Sequence, residues 1–481
     1  MKRSFTISIL CLCIASMCPG QRRSDNTSLK DQTMKNIQEK SGRYKQIALD
    51  IWGFAEVGYK EVQSSDLLQK TLKENGFNVE QGVAGIPTAF VATFGTGKPV
   101  VGILAEFDAL PGLSQQVATE KKPIAGKDAG HGCGHHLFGT ASVAAGIELK
   151  NLIESGKLKG TIKVFGTPAE EGGSGKVYMV REGLFRDVDA VIHWHPGDRN
   201  EVSMTSALAN KSAKFRFYGL SAHASDSPDK GRSALDAVEA MNVMVNMMRE
   251  HVPQQTRIHY VITSGGKAPN VIPDYAEVYY YVRHPKREHA SAIFERVVNA
   301  AKGAAMGTDT RMEYEIIGGI HDLLLNTTLS QAMHANLTKV GGVKYSPEEI
   351  EFARKIQATF AEPVTMTLAD SILPLRKTED SGGGSTDVGD VSYVVPTVGL
   401  DAATWVPGTP AHSWQAVACG GMDIGIKGML VAAKTMALTG IDLFSDPQLI
   451  TKAKSEFDRR IGTYKYKPLL GDRKPALNYR D

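Results

Sequence analysis

What most constrains the fold of this 481-residue chain is a change of rhythm along it. Strand-like runs alternate with helical segments as far as His195: "TAFVATFG", "PVVGILAEFDAL", "GTIKVFGTPAEE" and "DAVIHWHP", with "HLFGTASVAAGIELKNLIESG" between them. Such alternation predicts an α/β domain whose working loops sit at strand ends. The order then becomes β-α-β-β-α-β. "SAKFRFYGLSAHAS" alternates as a half-exposed strand, "SALDAVEAMNVMVNMMREHV" is an amphipathic helix, and "RIHYVITSGG" and "YAEVYYYVRHP" are strands. "REHASAIFERVVNAAKGAAMGT" is a second helix and "RMEYEIIGGI" closes the unit. That order predicts a ferredoxin-like α+β insert. The first rhythm returns in "TDVGDVSYVVPTVGL" and "DIGIKGMLVAAKTMALTG". The expected organisation is an α/β domain in two parts, 34–208 and 321–450, interrupted by an insert over 209–320.

The ends of the chain have their own texture. "MKRSFTISILCLCIASMC" has a charged start and a short apolar stretch, the pattern of a secretory signal over residues 1–20. It is short for a membrane span, so no integral span is expected. Cys18 offers a second reading, a lipidated anchor, although Met17 is bulky for the residue before such a cysteine. Either way the protein is expected to be exported. Residues 21–33 are polar and read as a flexible leader. The final stretch, 451–481, reads as a basic tail: from Lys452 onward it carries nine basic and four acidic residues. The net charge of the whole chain is only +3, so the body lacks the basic surface that nucleic acid would require.

Five cysteines are present, and three of them, Cys11, Cys13 and Cys18, lie in or beside the leader. Cys133 and Cys419 belong to the body. In an exported protein they could form a disulfide. The surroundings of Cys133 offer another use. "GKDAGHGCGHHLFGT" packs His131, Cys133, His135 and His136 into a glycine-rich turn before a helix. A glycine between Cys133 and His135 lets the backbone curl so that both reach one metal. Other candidate ligands fall at other strand ends: Glu106 and Asp108 in "ILAEFDALPG", Glu170 and Glu171 in "TPAEEGG", His193 and His195 in "VIHWHPG", and His412 in "GTPAHSW". Each alone has an ordinary explanation, since strand-end histidines are usually structural and paired glutamates usually face solvent. Cys133 could be a small buried hydrophobe. Their joint occurrence beside glycine or proline in one α/β domain points to a metal site.

Together "EFDALPG", "GHGCGHHLFGTA", "PAEEGG", "WHPG", "GLSAHA", "GGKAPNVIPDYAEVYYYVR", "STDVGDVS" and "GTPAHSW" resemble the metallo-amidohydrolases related to aminobenzoyl-glutamate hydrolase. These sit within the aminoacylase and carboxypeptidase group, with the hippurate and indoleacetyl-amino-acid hydrolases. The resemblance runs in order from about Met34 to Phe444.

It implies a metallopeptidase-like catalytic domain, an inserted dimerisation domain and two divalent metal ions, zinc or manganese, per subunit. Cys133, His135, Glu171, His195 and His412 would be the ligands, Glu170 the general base, and Asp108 the residue orienting a ligand. His223 would cross to the partner's site in a homodimer and stabilise the oxyanion. Asn270 and Arg283 would grip the substrate carboxylate, a task that suits an arginine fork. His136 departs from the Asp or Asn common in relatives, and Glu106 stands where carboxypeptidase relatives place a histidine ligand. Both are read as supporting residues. The implied reaction is hydrolysis of the amide in an N-acyl or N-aroyl amino acid such as aminobenzoyl-glutamate. A dipeptidase or carboxypeptidase acting on short peptides is the alternative, and a non-catalytic binding protein would have shown missing ligands.

Overall fold

The computed structural model describes residues 19–362 and 364–480. The expected signal segment and Cys18, except for residues 19 and 20, therefore lie outside the described residues. Twelve strands are present among the described residues: β1 (Asn78–Gln81), β2 (Phe90–Thr96), β3 (Val100–Ala105), β4 (Gly160–Gly166), β5 (Ala190–Gly197), β6 (Thr205–Ser206), β7 (Ala209–Tyr218), β8 (Arg257–Ser264), β9 (Tyr275–His284), β10 (Arg311–Ile320), β11 (Asp380–Ser381) and β12 (Thr397–Ala403).

The main sheet has the order β1-β2-β4-β3-β5-β12. β4, β3, β5 and β12 run parallel, while β1 and β2 add an antiparallel edge. From β3 the chain steps to one side to form β4 and then to the other to form β5. This reversal opens a crevice beyond the carboxyl ends of the strands, the usual place for a ligand in an open α/β sheet. β3 is buried along its whole length, as expected of a parallel strand covered on both faces.

The helix His135–Glu154 has buried residues on every side and packs under the sheet with Asp423–Ser445. The second of these is apolar and long enough to cross a membrane, but 89% of its apolar window is buried inside the fold. Its surface is consumed by the core.

The insert forms a second sheet of order β10-β7-β9-β8, antiparallel throughout. The helices Ala234–Met248 and Arg287–Gly307 cover one face through Val238, Met241, Phe294 and Val297, against Phe215 and Val278. This is the ferredoxin-like arrangement expected from the order of elements.

Two terminal expectations change. Residues 21–33 are not a loose leader but part of a helix, Pro19–Glu39. Thr33 and Ile37 are fully buried, Leu29 packs beside the core, and Lys30 pairs with Asp442 at 2.6 Å. The four-residue spacing of Leu29, Thr33 and Ile37 makes one face of a helix, which the polar residues between them obscure. The basic tail begins as the helix Pro447–Ile461, and residues 462–480 then run back over the body.

Asn200 fixes the point where the chain leaves β5 for the insert. It is fully buried; its amide donates to the carbonyls of Ala369 (2.7 Å) and Ser371 (3.2 Å) and accepts from the N–H of Ala403 (2.9 Å). Asn200→Ala leaves the buried N–H of Ala403 without its partner, whereas the Ala369 carbonyl keeps the Val343 N–H and Ser371 is exposed, so one stranded group costs roughly 1–3 kcal/mol. Chemical denaturation should show a loss of about 1–3 kcal/mol, and an unchanged midpoint would refute this role.

Candidate metal centre

The carboxyl ends of β3, β4 and β5 and the loop after β12 deliver their side chains to one crevice. Gly134 makes the first part possible. It has φ 77°, and a Cβ there would lie 2.7 Å from Pro196. Only glycine fits this left-handed position against the proline ring. The turn sets Cys133 and His135 side by side, and the Cys133 sulfur lies 3.3 Å from His195 Nε2. Cys133 and Cys419 are both free and buried, so the disulfide reading fails.

Each ring is aimed by its other nitrogen. Asp108 Oδ1 lies 2.9 Å from His135 Nδ1, and the carbonyl of Pro196 lies 2.8 Å from His195 Nδ1. Carboxylate or carbonyl partners of this kind protonate the near nitrogen and leave Nε2 as a donor to metal. Asp108 also accepts from the N–H of Glu171 through Oδ2 at 2.9 Å. Burial raises the pKa of Asp108, but His135 outweighs it and holds the carboxyl below its usual range.

The turn carrying the glutamates is strained. Ala169 has φ 57°, with its N–H held by Glu61 at 2.8 Å, and Glu171 breaks the short helix Glu170–Gly173 with φ −72° and ψ 69°. His412, also left-handed at φ 57°, closes the far side, and its Nε2 lies 3.0 Å from Glu171 Oε1. Non-glycine residues held in this region cost roughly 1–3 kcal/mol each and gather at functional sites.

Three overlapping ligand groups result: Cys133, His135 and His195; Cys133, Glu171 and His412; His135, Glu170 and Glu171. Within each group the ligand atoms lie within 4.8 Å of one another. His135 Nε2 and Glu171 Oε1 are buried without a well-directed hydrogen bond, although Glu106 and His412 stand 3.1 and 3.0 Å away. Buried donor atoms of sulfur, nitrogen and oxygen, converging and unsatisfied, fit a metal ion. Without a cation, burial pushes the Cys133 thiol well up. A bound dication inverts that balance and deprotonates the thiol outright.

Burial, then Glu171 and Glu106, raise the Glu170 carboxyl well above its ordinary range. A glutamate so raised can take and return a proton near neutral pH. It borders a cavity of about 610 Å³ whose walls include Cys133, Glu171, His195, His412 and Arg283.

The predicted residues divide cleanly. Cys133, His135, Glu170, Glu171, His195, His412 and Asp108 come together, and Arg283 lines the same cavity. His223 and Asn270 do not join them. Both are exposed on the insert, adjacent to each other, where the N–H of Ala224 donates to the Asn270 carbonyl. His193 belongs to none of the ligand groups found among the described residues. His136 is buried and lies 3.0 Å from the carbonyl of Gly420, a structural task.

Sequence reasoning missed Lys176. Fully buried, it stands 2.8 Å from Glu106 and 2.6 Å from Asp387. Burial opposes its charge, but Asp387 and Glu106 prevail and hold it protonated. Nothing local in "GSGKVY" signals this, because the partners come from remote loops.

Residues 102–416 match the family described as peptidase family M20/M25/M40. Over 456 residues the chain is 41% identical to one of the subunits of p-aminobenzoyl-glutamate hydrolase of Escherichia coli (strain K12), covering 89% of this chain and 95% of that protein. It is 28% identical to Xaa-Arg dipeptidase of Mus musculus, covering 90% and 93%. A dinuclear metal-binding peptidase of the M20 family from Bacillus subtilis superposes with a TM-score of 0.57 at 18% identity, over 85% of this chain and 99% of that one.

If Cys133 is a ligand, metal should shield its sulfur from alkylation. Iodoacetamide labelling read by peptide mass should be slow in metal-loaded protein and rise at least severalfold after chelation. Equal labelling in both states removes Cys133 from the ligand set.

Proposed function

Because the chain belongs to peptidase family M20/M25/M40, we propose that it is a metal-dependent amidohydrolase that cleaves N-acyl or N-aroyl amino acids, with aminobenzoyl-glutamate the leading candidate. The observation that carries this is the convergence of the ligand atoms of Cys133, His135, Glu171, His195 and His412 beside a cavity that Glu170 also borders. Two divalent ions held there, zinc or manganese, would polarise the amide carbonyl and make water a competent nucleophile near neutral pH.

Glu170 does the proton work. It accepts a proton from the attacking water and delivers it to the leaving amine. Its neighbour Glu171 would hold metal, so the two carboxylates would divide ligation from proton transfer. Arg283 borders the polar cavity and supplies a fork for the carboxylate of the amino acid. A second cavity of about 360 Å³ adjoins at His195 and is lined by Phe138, Leu323, Leu325, Val388 and Leu400. Its apolar wall suits an acyl or aromatic group. The likeness to a dipeptidase favours a second reading, short peptides, with the same machinery.

The oxyanion donor is His223 of a partner subunit. His223 and Asn270 are exposed and do not line their own cavity, which leaves them available to another copy. β8 is an edge strand with Tyr260, Val261 and Ile262 exposed, and such an edge can pair with its copy across a two-fold axis.

Hydrolysis of aminobenzoyl-glutamate and of a panel of N-acyl amino acids and dipeptides by the metal-loaded protein tests the reading. No turnover on any of them would overturn it. Glu170→Gln should retain metal and lose about 100-fold or more in kcat, whereas Glu171→Gln should release metal. Near-normal turnover in Glu170→Gln would remove it as the base.

Subunit mixing tests the donated histidine. Glu170→Ala fails at its own base and His223→Ala fails at the group it donates. A heterodimer has one doubly defective site and one intact site, so exchange should restore up to about half the activity per heterodimer. Confirmed exchange with activity at baseline would place His223 outside the partner's site.

A further inference from the structure

The segment 462–480 has no regular structure, yet it is fastened along its length. The Tyr464 hydroxyl lies 2.8 Å from Nε2 of buried His321, and the Tyr466 hydroxyl donates to Asp390 at 2.8 Å. Arg181 donates to the Arg473 carbonyl at 2.7 Å, and Arg473 donates to the Ile317 carbonyl at the end of the insert at 2.9 Å. The segment thus crosses the junction of the two sheets and arrives at the metal centre.

There it meets one atom. The main-chain carbonyl of Glu171 accepts from the Tyr479 hydroxyl at 2.9 Å and from the Arg480 guanidinium at 2.6 Å. This carbonyl needs outside donors, because ψ 69° at Glu171 turns it away from any helical partner. Its own N–H is held by Asp108 from the opposite side. The two peptides that flank the Glu171 Cα are therefore both held: one by the carboxylate that orients His135, the other by the Tyr479–Arg480 pair. The pair is itself braced. The Tyr479 ring stands edge-on to Tyr59 at 5.5 Å, its hydroxyl fills the space a side chain on Gly58 would need, and Arg480 lies over the Tyr479 ring at 4.8 Å. Arg480 also forms part of the wall of the metal cavity.

We propose that Tyr479 and Arg480 are positioning residues of the metal centre: by clamping the Glu171 carbonyl they set the directions in which the Glu170 and Glu171 carboxylates point. A change of backbone angle at Glu171 would turn its carboxylate away from the other ligands, and Glu170, which precedes it in the same short turn, would shift with it. Two donors share one carbonyl, so each covers in part for the other. The inference rests on the metal-centre reading above but not on the identity of the substrate.

The test uses the full chain and Tyr479→Phe, Arg480→Gln, Arg480→Lys and the double variant Tyr479→Phe/Arg480→Gln. Metal-free protein is titrated with Co²⁺, and the visible absorption of the bound ion reports affinity and ligand geometry. The double variant should lose about 10–100-fold in affinity for at least one Co²⁺ and show an altered spectrum, with kcat falling in parallel and KM little changed. The single variants should show smaller shifts of the same kind, and Arg480→Lys, which keeps a donor, should recover part of the loss.

Wild-type affinity and spectrum in the double variant would overturn the proposal. So would a raised KM with unaltered Co²⁺ binding, which would make Arg480 a substrate contact. If the double variant does not fold, the two single losses decide, and unchanged Co²⁺ spectra in both overturn the claim. Wild-type protein that takes up no Co²⁺ would instead refute the metal centre itself.

Discussion

The two oxygens of Asp108 are where the arrangement of the site is decided. One sits against His135 at the head of a buried helix and the other holds the N–H of Glu171 in the loop after β4. A single side chain at the end of β3 thus sets the aim of one ligand ring and the backbone of another ligand. Because Asp108 is buried and holds both groups at hydrogen-bond distance, it leaves little freedom for either ligand. Everything else in the crevice is arranged around this fixed distance between the helix and the β4 loop.

The same crevice is heavily acidic. Glu106, Asp108, Glu170, Glu171 and Asp387 converge, and Lys176 is the ammonium buried among them. Lys176 and a protonated His135 together cannot neutralise that many carboxylates removed from water, and uncompensated buried charge is expensive. The raised carboxyls of Glu170 and Asp387, the latter pushed by burial to about 6 against the pull of Lys176, are the response to this surplus. Divalent cations resolve it differently, by adding the missing positive charge at the point where ligands already meet. The electrostatics and the ligand geometry therefore ask for the same thing.

Most of this architecture is legible in the chain. The alternation of strands and helices, the ferredoxin-like order of the insert and the ligands beside Gly134, Gly172 and Pro196 all leave local marks, because turns and buried strands demand particular residues. Three features leave none. Thr33 and Ile37 are spaced for burial, but the polar residues around Leu29 hide the face they form. Lys176 looks like any charged residue until Glu106 and Asp387 fold around it. Tyr479 and Arg480 sit in a stretch with no periodicity, and only the broken helix at Glu171 gives them a purpose. His223 and Asn270 are a different case, for their own chain offers them no partner in the cavity.

The threading of the main sheet carries a consequence for how the protein is made. β12 joins the sheet by pairing Thr397 with Val191 of β5, across the entire insert and the helices that follow it. A ribosome delivers β5 long before β12, while the insert pairs β7 with β9 and β10 within its own span. The insert can therefore complete itself during synthesis, whereas β5 waits with an open edge that other chains can reach. Pairings of such long sequence separation also close slowly, since the loop entropy is lost before the contact forms. Closure of the main sheet is thus a late event, waiting on β12 and on the helix Asp423–Ser445 that covers it, so substitutions near Thr397–Ala403 are expected to bear on yield and aggregation as well as on the site.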